Sequence, residues 1–295
     1  MNHINDLMAE WAFKAVEIVD DYLELTSNFL LGETSIEPRT QWILRYLAVS
    51  CNQTTNSTLI LIANNQLWDA EILLRSVIEG TIKYIYLCLG DKSELITKSE
   101  EYFVDLPNID EIKQQQRVRS FLEKLENPEL YDYAILRETL IEENELTELY
   151  NQYPRQARKK IEQKWAFNEI ASILSRNDSN LKDFDALRYL LSYTYGMGSN
   201  LAHKDATGLK LIHNRLQKNS EDTKLTELAH AARQINDTLM MAGFRSAMVY
   251  RIHNVDNKPI MDLFESHKNF INTLEEMRKL WHEQNTEVSE SSKER

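Results

Sequence analysis

The chain has 295 residues, enough for one large domain or two small ones, and it holds only 7 glycines and 5 prolines. An all-β fold needs turns at short intervals, so this scarcity argues for helices. A formal net charge of −12 disfavours broad, non-specific binding to nucleic acid or anionic membranes, while leaving room for a local basic patch.

The first helix is expected to be capped by Asn5 or Asp6 and to run to about Leu31, with Trp11, Ala15, Ile18, Val19, Tyr22, Leu23 and Leu25 at helical spacing and Gly32 at its end. After the loop GETSIEP, Pro38 suits the first turn of a second helix reaching about Asn65. The middle of that helix, residues 52–58, is wholly polar and fits either a solvated turn or a polar stripe lining something. Asn64 and Asn65 break the chain before a third helix over residues 67–90, LWDAEILLRSVIEGTIKYIYLCLG, which is apolar on nearly every side. Such a helix belongs in the middle of a bundle. It carries Arg75 and Glu79 one turn apart, and charges are seldom buried unless paired, so an ion pair is expected inside or beside the core.

Residues 91–165 are highly charged, with short helical patterns punctuated by Pro107, Pro128 and Pro154, and are expected to form a helical insertion. Its basic run, RQARKKIEQK at residues 155–164, fits either a phosphate-contacting strip or a solvated helix start. Residues 177–183 form a polar loop, with Asp183 as a candidate cap for a helix carrying Phe184, Leu187, Leu190, Leu191 and Tyr193. A connection broken at Gly208 follows over residues 207–220, then a long helix over 221–253 whose alanines and Gly243 let a neighbouring helix pack close; dimerisation through such helices is expected. A last helix spans residues 259–282, and residues 283–295 form a polar, disordered tail. The core bundle is thus expected to comprise residues 1–90 and 166–282, with residues 91–165 inserted between them.

Cys51 and Cys88 lie in apolar helical patterns with no metal-ligand spacing, as in a reduced, cytoplasmic protein. No secretory signal precedes the first helix, and no segment has the ~18 uninterrupted apolar residues of a membrane span, so no membrane association is expected. His213, His230, His253, His267 and His282 fit no ligand pattern, and neither a metal nor a cofactor is expected.

The richest stretch is YGMGSNLAHKD at residues 195–205. On a helix, Tyr195, Ser199 and His203 stand at i, i+4 and i+8 and project from nearly one face. Gly196 and Gly198 are each costly in a helix by about 1 kcal/mol relative to alanine, which points to close backbone approach by the Arg75 helix. Asn200 and Lys204 flank His203. Histidine is the usual general acid/base near neutral pH and arginine a fixed cation for phosphate, so this set suits phosphodiester chemistry without a metal. A buried structural network of His203, Arg75 and Glu79 accounts for the same residues.

Residues 69–87, DAEILLRSVIEGTIKYIYL, and residues 195–205 together resemble a helical bacterial family of unknown function seen around phage-defence and abortive-infection loci. The matching positions are Ala70, Arg75, Ser76, Glu79, Tyr195, Ser199 and His203. More distantly the arrangement is similar to HEPN helical domains, many of them metal-independent ribonuclease toxins that place an arginine four to six residues before a histidine on one helix. That spacing is absent here, so Arg75 would join His203 from another helix. The resemblance implies an all-α multi-helix bundle and a defence effector that cleaves RNA. His203 would be the acid/base, Arg75 and Lys204 would hold phosphate, Glu79 would orient them, and Tyr195, Ser199 and Asn200 would position the substrate. It also implies RNA, a second copy or a protein partner from the same locus as binding partners. The alternative is a non-catalytic helical module that binds a partner protein or small ligand through the same pocket. A nucleotide-binding regulator would need a larger basic pocket than the sequence visibly offers.

Overall fold

A computed structural model describes residues 2–32, 36–176 and 185–293 of the chain. The fold is all-α, and the described residues contain no strand. They group into two compact units, residues 1–89 with 173–295, and residues 90–172.

In the larger unit, α1 (Asn2–Leu31), α2 (Pro38–Ala63) and α3 (Leu67–Cys88) begin the bundle. Pro38 occupies the first turn of α2, and the Glu37 carboxylate caps it by accepting from the Arg39 and Thr40 amides. Asn65, at φ 55°, makes the break before α3. In α3, Leu74, Val77, Ile78, Ile82, Ile85 and Leu87 are completely buried, each contributing about 1.5–3 kcal/mol by leaving water. The helix is surrounded as its composition requires, packing against α2, α11 (Tyr195–Ala202) and α13 (Ser220–Ile252).

The polar stretch of α2 is not a solvated turn. Thr55 and Thr58 are fully buried, and Asn52 accepts a 2.7 Å hydrogen bond from Arg245, whose other terminal nitrogen donates to Thr81. The stripe serves a buried arginine reaching in from α13.

The smaller unit contains α4 (Lys92–Glu100), a π-helical turn (Glu101–Asp105), α5 (Leu106–Leu122), a 3-10 turn (Tyr131–Tyr133), α6 (Ala134–Glu138), α7 (Glu143–Gln152) and α8 (Arg155–Lys164). Its apolar centre is small, built on Ile109, Ile112 and Tyr153. Polar ties supplement it: Tyr153 donates to Asp105, and Trp165 and Lys164 both reach Glu101. The basic run on α8 is largely a solvated face, with Arg155, Lys159 and Lys160 exposed and Arg158 over the Tyr150 ring.

The chain continues through α9 (Phe167–Ser175), α10 (Asp185–Tyr189), a second π-helical turn (Leu190–Thr194), α11 (Tyr195–Ala202), α12 (Ala206–Leu216), α13 (Ser220–Ile252), α14 (Lys258–Ser266) and α15 (Lys268–Lys293). Asp183 and Phe184, read as a helix cap and first apolar residue, lie outside the described residues. Three segments differ from the sequence reading. The connection broken at Gly208 is instead the helix α12: Asp205 caps it through the Gly208 amide, and the bare Gly208 packs on the Asn200 carbonyl, where a Cβ would come within 2.6 Å. The last helix is interrupted at His267 and then runs on to Lys293 rather than ending at His282, since neither proline nor glycine follows to stop it. The first helix begins at Asn2, so Asn5 and Asp6 lie inside it and do not cap it. The alanines and Gly243 of α13 let a neighbouring helix pack close, as expected, and that neighbour is α1: Ala231, Ala232 and Ala242 join the apolar cluster containing Met8, Trp11 and Ile18, and Gly243 faces Tyr22.

The two glycines of α11 differ in what they permit. A Cβ on Gly198 would stand 2.9 Å from both the Arg75 Cβ and the Glu71 carbonyl oxygen, which is the close approach expected from the sequence, whereas one on Gly196 would meet nothing within 4 Å. Denaturant unfolding is expected to show Gly198→Ala destabilised by about 1–3 kcal/mol through overpacking and Gly196→Ala stabilised by about 0.5–1 kcal/mol through helix propensity. Equal effects at the two positions would contradict the packing described.

Candidate functional site

Of the residues singled out in the sequence, Arg75, Glu79 and Tyr195 come together. Arg75 Nη2 lies 2.9 Å from Glu79 Oε1 and donates to the Tyr195 hydroxyl at 3.2 Å, and that hydroxyl donates to Glu79 Oε1 at 2.9 Å. The Arg75 guanidinium also lies over the Tyr195 ring. With side chains 23% and 30% exposed, Arg75 and Glu79 form a pair at the rim of the core and not within it.

His203 and Lys204 do not join them. Tyr195 to His203 is eight residues, a rise of about 12 Å along a helix. His203 closes α11, Lys204 turns the chain away at φ 53°, and both side chains are exposed. No hydrogen bond or ion pair links His203 to Arg75 or Glu79 among the described residues. Ser199 and Asn200 are half-buried on α11.

The charge in the core is Glu71, one turn before Arg75 and fully buried. Its Oε2 accepts from His230 Nε2 at 2.9 Å, from Gln234 at 2.8 Å and from the Arg233 guanidinium. Arg233 also donates to Asp237 Oδ2 at 2.8 Å, and the same oxygen accepts from Thr194 at 2.9 Å. Arg215 Nη2 lies 2.9 Å from His230 Nδ1. A guanidinium can only donate, so His230 is neutral with its proton on Nε2, directed at Glu71.

These groups titrate as their surroundings dictate. Burial raises the Glu71 carboxyl, but Arg233, His230 and Gln234 outweigh it and hold the group at about 2. Asp237 accepts from fewer donors and is repelled by Glu71, so burial prevails over Arg233 and Thr194 and takes it to about 6. Burial lowers His230 to about 4 against the pull of Glu71. Arg233 is raised because Glu71 and Asp237 outweigh its own desolvation.

His230 and Arg233 form part of one wall of an open cleft of about 630 Å³, within the usual size range of small-molecule sites. Tyr189, Tyr193 and Met197 come from α10, the π-helical turn and α11. Arg215 comes from the last turn of α12 and Lys218 from the turn that follows it, and Arg278, Lys279 and Trp281 come from α15. Arg215 is stacked 4.1 Å above the Trp68 ring and Lys218 lies over Trp281. Burial lowers the pKa of both Arg215 and Lys218. Glu275 is the carboxylate that lines the cleft beside these cations. Neither Arg215 nor Arg278 makes a contact ion pair among the described residues; Glu227 and Glu71 attract Arg215 only at longer range, as Asp237 does Arg278. The described residues also hold no group of three or more His, Cys, Asp or Glu that could bind a metal.

The sequence held one signal for the buried network: His230, Arg233, Gln234 and Asp237 recur at i, i+3, i+4 and i+7 in an alanine-rich helix, a polar stripe where a small-residue face is otherwise continuous.

A model of a family of unknown function, DUF5677, matches residues 41–224, and the chain belongs to that family. The match takes in the Trp68, Tyr189, Tyr193 and Arg215 parts of the cleft, while His230, Arg233 and Arg278 lie beyond it. No curated protein and no solved structure matches the chain.

Two outcomes test the network. Glu71→Ala takes one of its two carboxylates from the buried Arg233 and leaves His230 and Gln234 without their acceptor, and is expected to lose about 3–5 kcal/mol in denaturant unfolding, whereas Arg75→Ala at the rim should lose less than about 1 kcal/mol. The second outcome concerns pH. His230 is lowered in the folded state, so its contribution is present above about pH 6.5 and lost on acidification towards 4. Asp237 is raised, so its contribution grows as pH falls from about 6 towards 3.8. The two oppose each other in the wild type. Asp237→Asn removes the compensation, and its stability should fall by about 2 kcal/mol more than the wild type's between pH 6.5 and 4.5.

Proposed function

We propose that this member of the family is a helical ligand-binding module whose cleft takes a compact anionic ligand. The observation that carries the reading is the pair of arginines, Arg215 and Arg278, that face the cleft with no contact ion pair among the described residues, in a chain of net charge −12. Several other arginines are answered by acids, Arg75 by Glu79, Arg119 by Glu143, and Arg233 by Glu71 and Asp237, while the buried Arg245 is held by Asn52 and Thr81. Lys218 and Lys279 add positive charge at the same opening. Guanidinium groups bind phosphate and carboxylate through paired hydrogen bonds, and partial desolvation strengthens them. The cleft is separate from the Arg75–Glu79–Tyr195 cluster, although Met197 of the same helix lines it. Two buried cysteines outside any disulfide, Cys51 and Cys88, support a reducing, cytoplasmic setting. No helix among the described residues is long and apolar enough to cross a membrane.

Calorimetric titration at low salt with inorganic phosphate, pyrophosphate and triphosphate tests the reading. Affinity should rise along that series and fall about five- to tenfold in Arg278→Gln, which removes one charged donor set from the cleft. Absence of binding at millimolar concentrations, or equal binding by the variant, would contradict it.

Metal-independent RNA cleavage by a defence effector is the second reading, favoured by one observation: His203 and Lys204 stand exposed side by side on the turn after α11. Total RNA incubated with the protein in EDTA should be cut by wild type and spared by His203→Ala if this reading holds; RNA left intact by the wild type retires it.

A further inference from the structure

The aromatic lining of the cleft goes beyond what a simple anion needs. The indole of Trp68 is covered by Arg215, and that of Trp281 by Lys218. Tyr189 and Tyr193 differ. Their rings stack on each other with centroids 5.6 Å apart and an interplanar angle of 23°, and they remain 40% and 53% exposed at the cleft. No cation covers the outer face of Tyr193 among the described residues.

The backbone beneath the pair is unusual as well. Tyr189 is the last residue of α10, and residues 190–194 widen into a π-helical turn. Such turns occur as local insertions in α-helices, often where a side chain must be re-aimed for function. Here Leu190 and Thr194 are buried, and Thr194 is held by both Asp237 and Arg233, while Tyr189 and Tyr193 are left facing the opening. The platform is therefore anchored from below by the buried network. Arg278 lines the same cleft as the tyrosine pair, and its charge is felt at Tyr189 and at Asp237.

An open aromatic face in the same cleft as two guanidinium groups that make no contact ion pair among the described residues, in a volume of about 630 Å³, matches a ligand with a planar ring at one end and phosphate at the other. We infer that the cleft binds a free nucleoside phosphate, its base stacked on the outer face of Tyr193 and its phosphates on Arg278 and Arg215. The inference rests on the cleft being an anion site and adds the ring. It also supplies the large basic pocket that a nucleotide-binding reading of the sequence lacked.

Competition and direct titration of the full chain test it, with AMP, GMP, CMP and UMP compared with ribose 5-phosphate, which carries the same phosphate and sugar without a base. Stacking of one base on an aromatic side chain should make at least one nucleotide about tenfold tighter than ribose 5-phosphate. Tyr193→Ala, at an exposed position, should remove that advantage while leaving ribose 5-phosphate affinity unchanged, and Tyr193→Phe should keep it. Equal affinity for nucleotide and ribose 5-phosphate overturns the base-stacking inference but leaves the anion site standing. No binding by any of these compounds overturns both. A short single-stranded oligoribonucleotide binding at least a hundredfold tighter than every mononucleotide would assign the cleft to RNA and overturn the assignment to a free nucleotide.

Discussion

The Glu71–Arg233 ion pair is the constraint from which the rest of the larger unit follows. It joins α3 to α13 at a point where both side chains have left water. Moving charges out of water costs several kcal/mol each, and attraction in the interior repays this only when the remaining hydrogen bonds are made. Hence the retinue around it: His230 and Gln234 on Glu71, and Asp237 and Thr194 on the far side of Arg233. Replacing such a cluster with apolar side chains of equal volume is often neutral for stability, so its use lies in fixing geometry. A slip of α13 by one turn against α3 would break five polar contacts together.

That fixed geometry is passed to the cleft by two routes. Through Thr194 it pins the π-helical turn that presents Tyr189 and Tyr193. Through His230 it holds Arg215, whose guanidinium meets Nδ1 on one side and the Trp68 ring on the other. The cleft cations are thus pre-arranged by neutral and aromatic partners instead of being neutralised by acids, which keeps their charge available to a ligand. An acidic protein surface around a local positive opening would repel most polyanions at long range while admitting a small one.

The sequence made the bundle legible because burial leaves a periodic trace. The uninterrupted apolar character of α3, the Pro38 start, the Asn64–Asn65 break and the close approach at Gly198 all have local causes. The important charge was harder to identify. Arg75 and Glu79 announce themselves as an i, i+4 pair, whereas the partners of Glu71 lie some 160 residues later in the chain. No local pattern distinguishes a glutamate whose partner is that distant from one that faces solvent. The cleft was hidden for the same reason. Arg215 ends a helix whose single glycine suggested a loop, with Lys218 in the turn just after it, and Arg278 and Lys279 sit in a polar segment typical of any exposed helix. Only the packing of α15 and α12 beside α13 turns two ordinary basic pairs into one site.

The most direct measurement is the pyrophosphate affinity of folded Glu71→Gln beside that of Arg75→Ala. Glu71 does not line the cleft, so a change there can reach the ligand only through Arg233, His230 and the elements they hold. The account expects the Glu71 variant to bind about tenfold or more weakly and the Arg75 variant to bind like wild type. Unchanged affinity in a folded Glu71→Gln protein, or an equal loss in Arg75→Ala, would contradict the claim that the buried network builds the site.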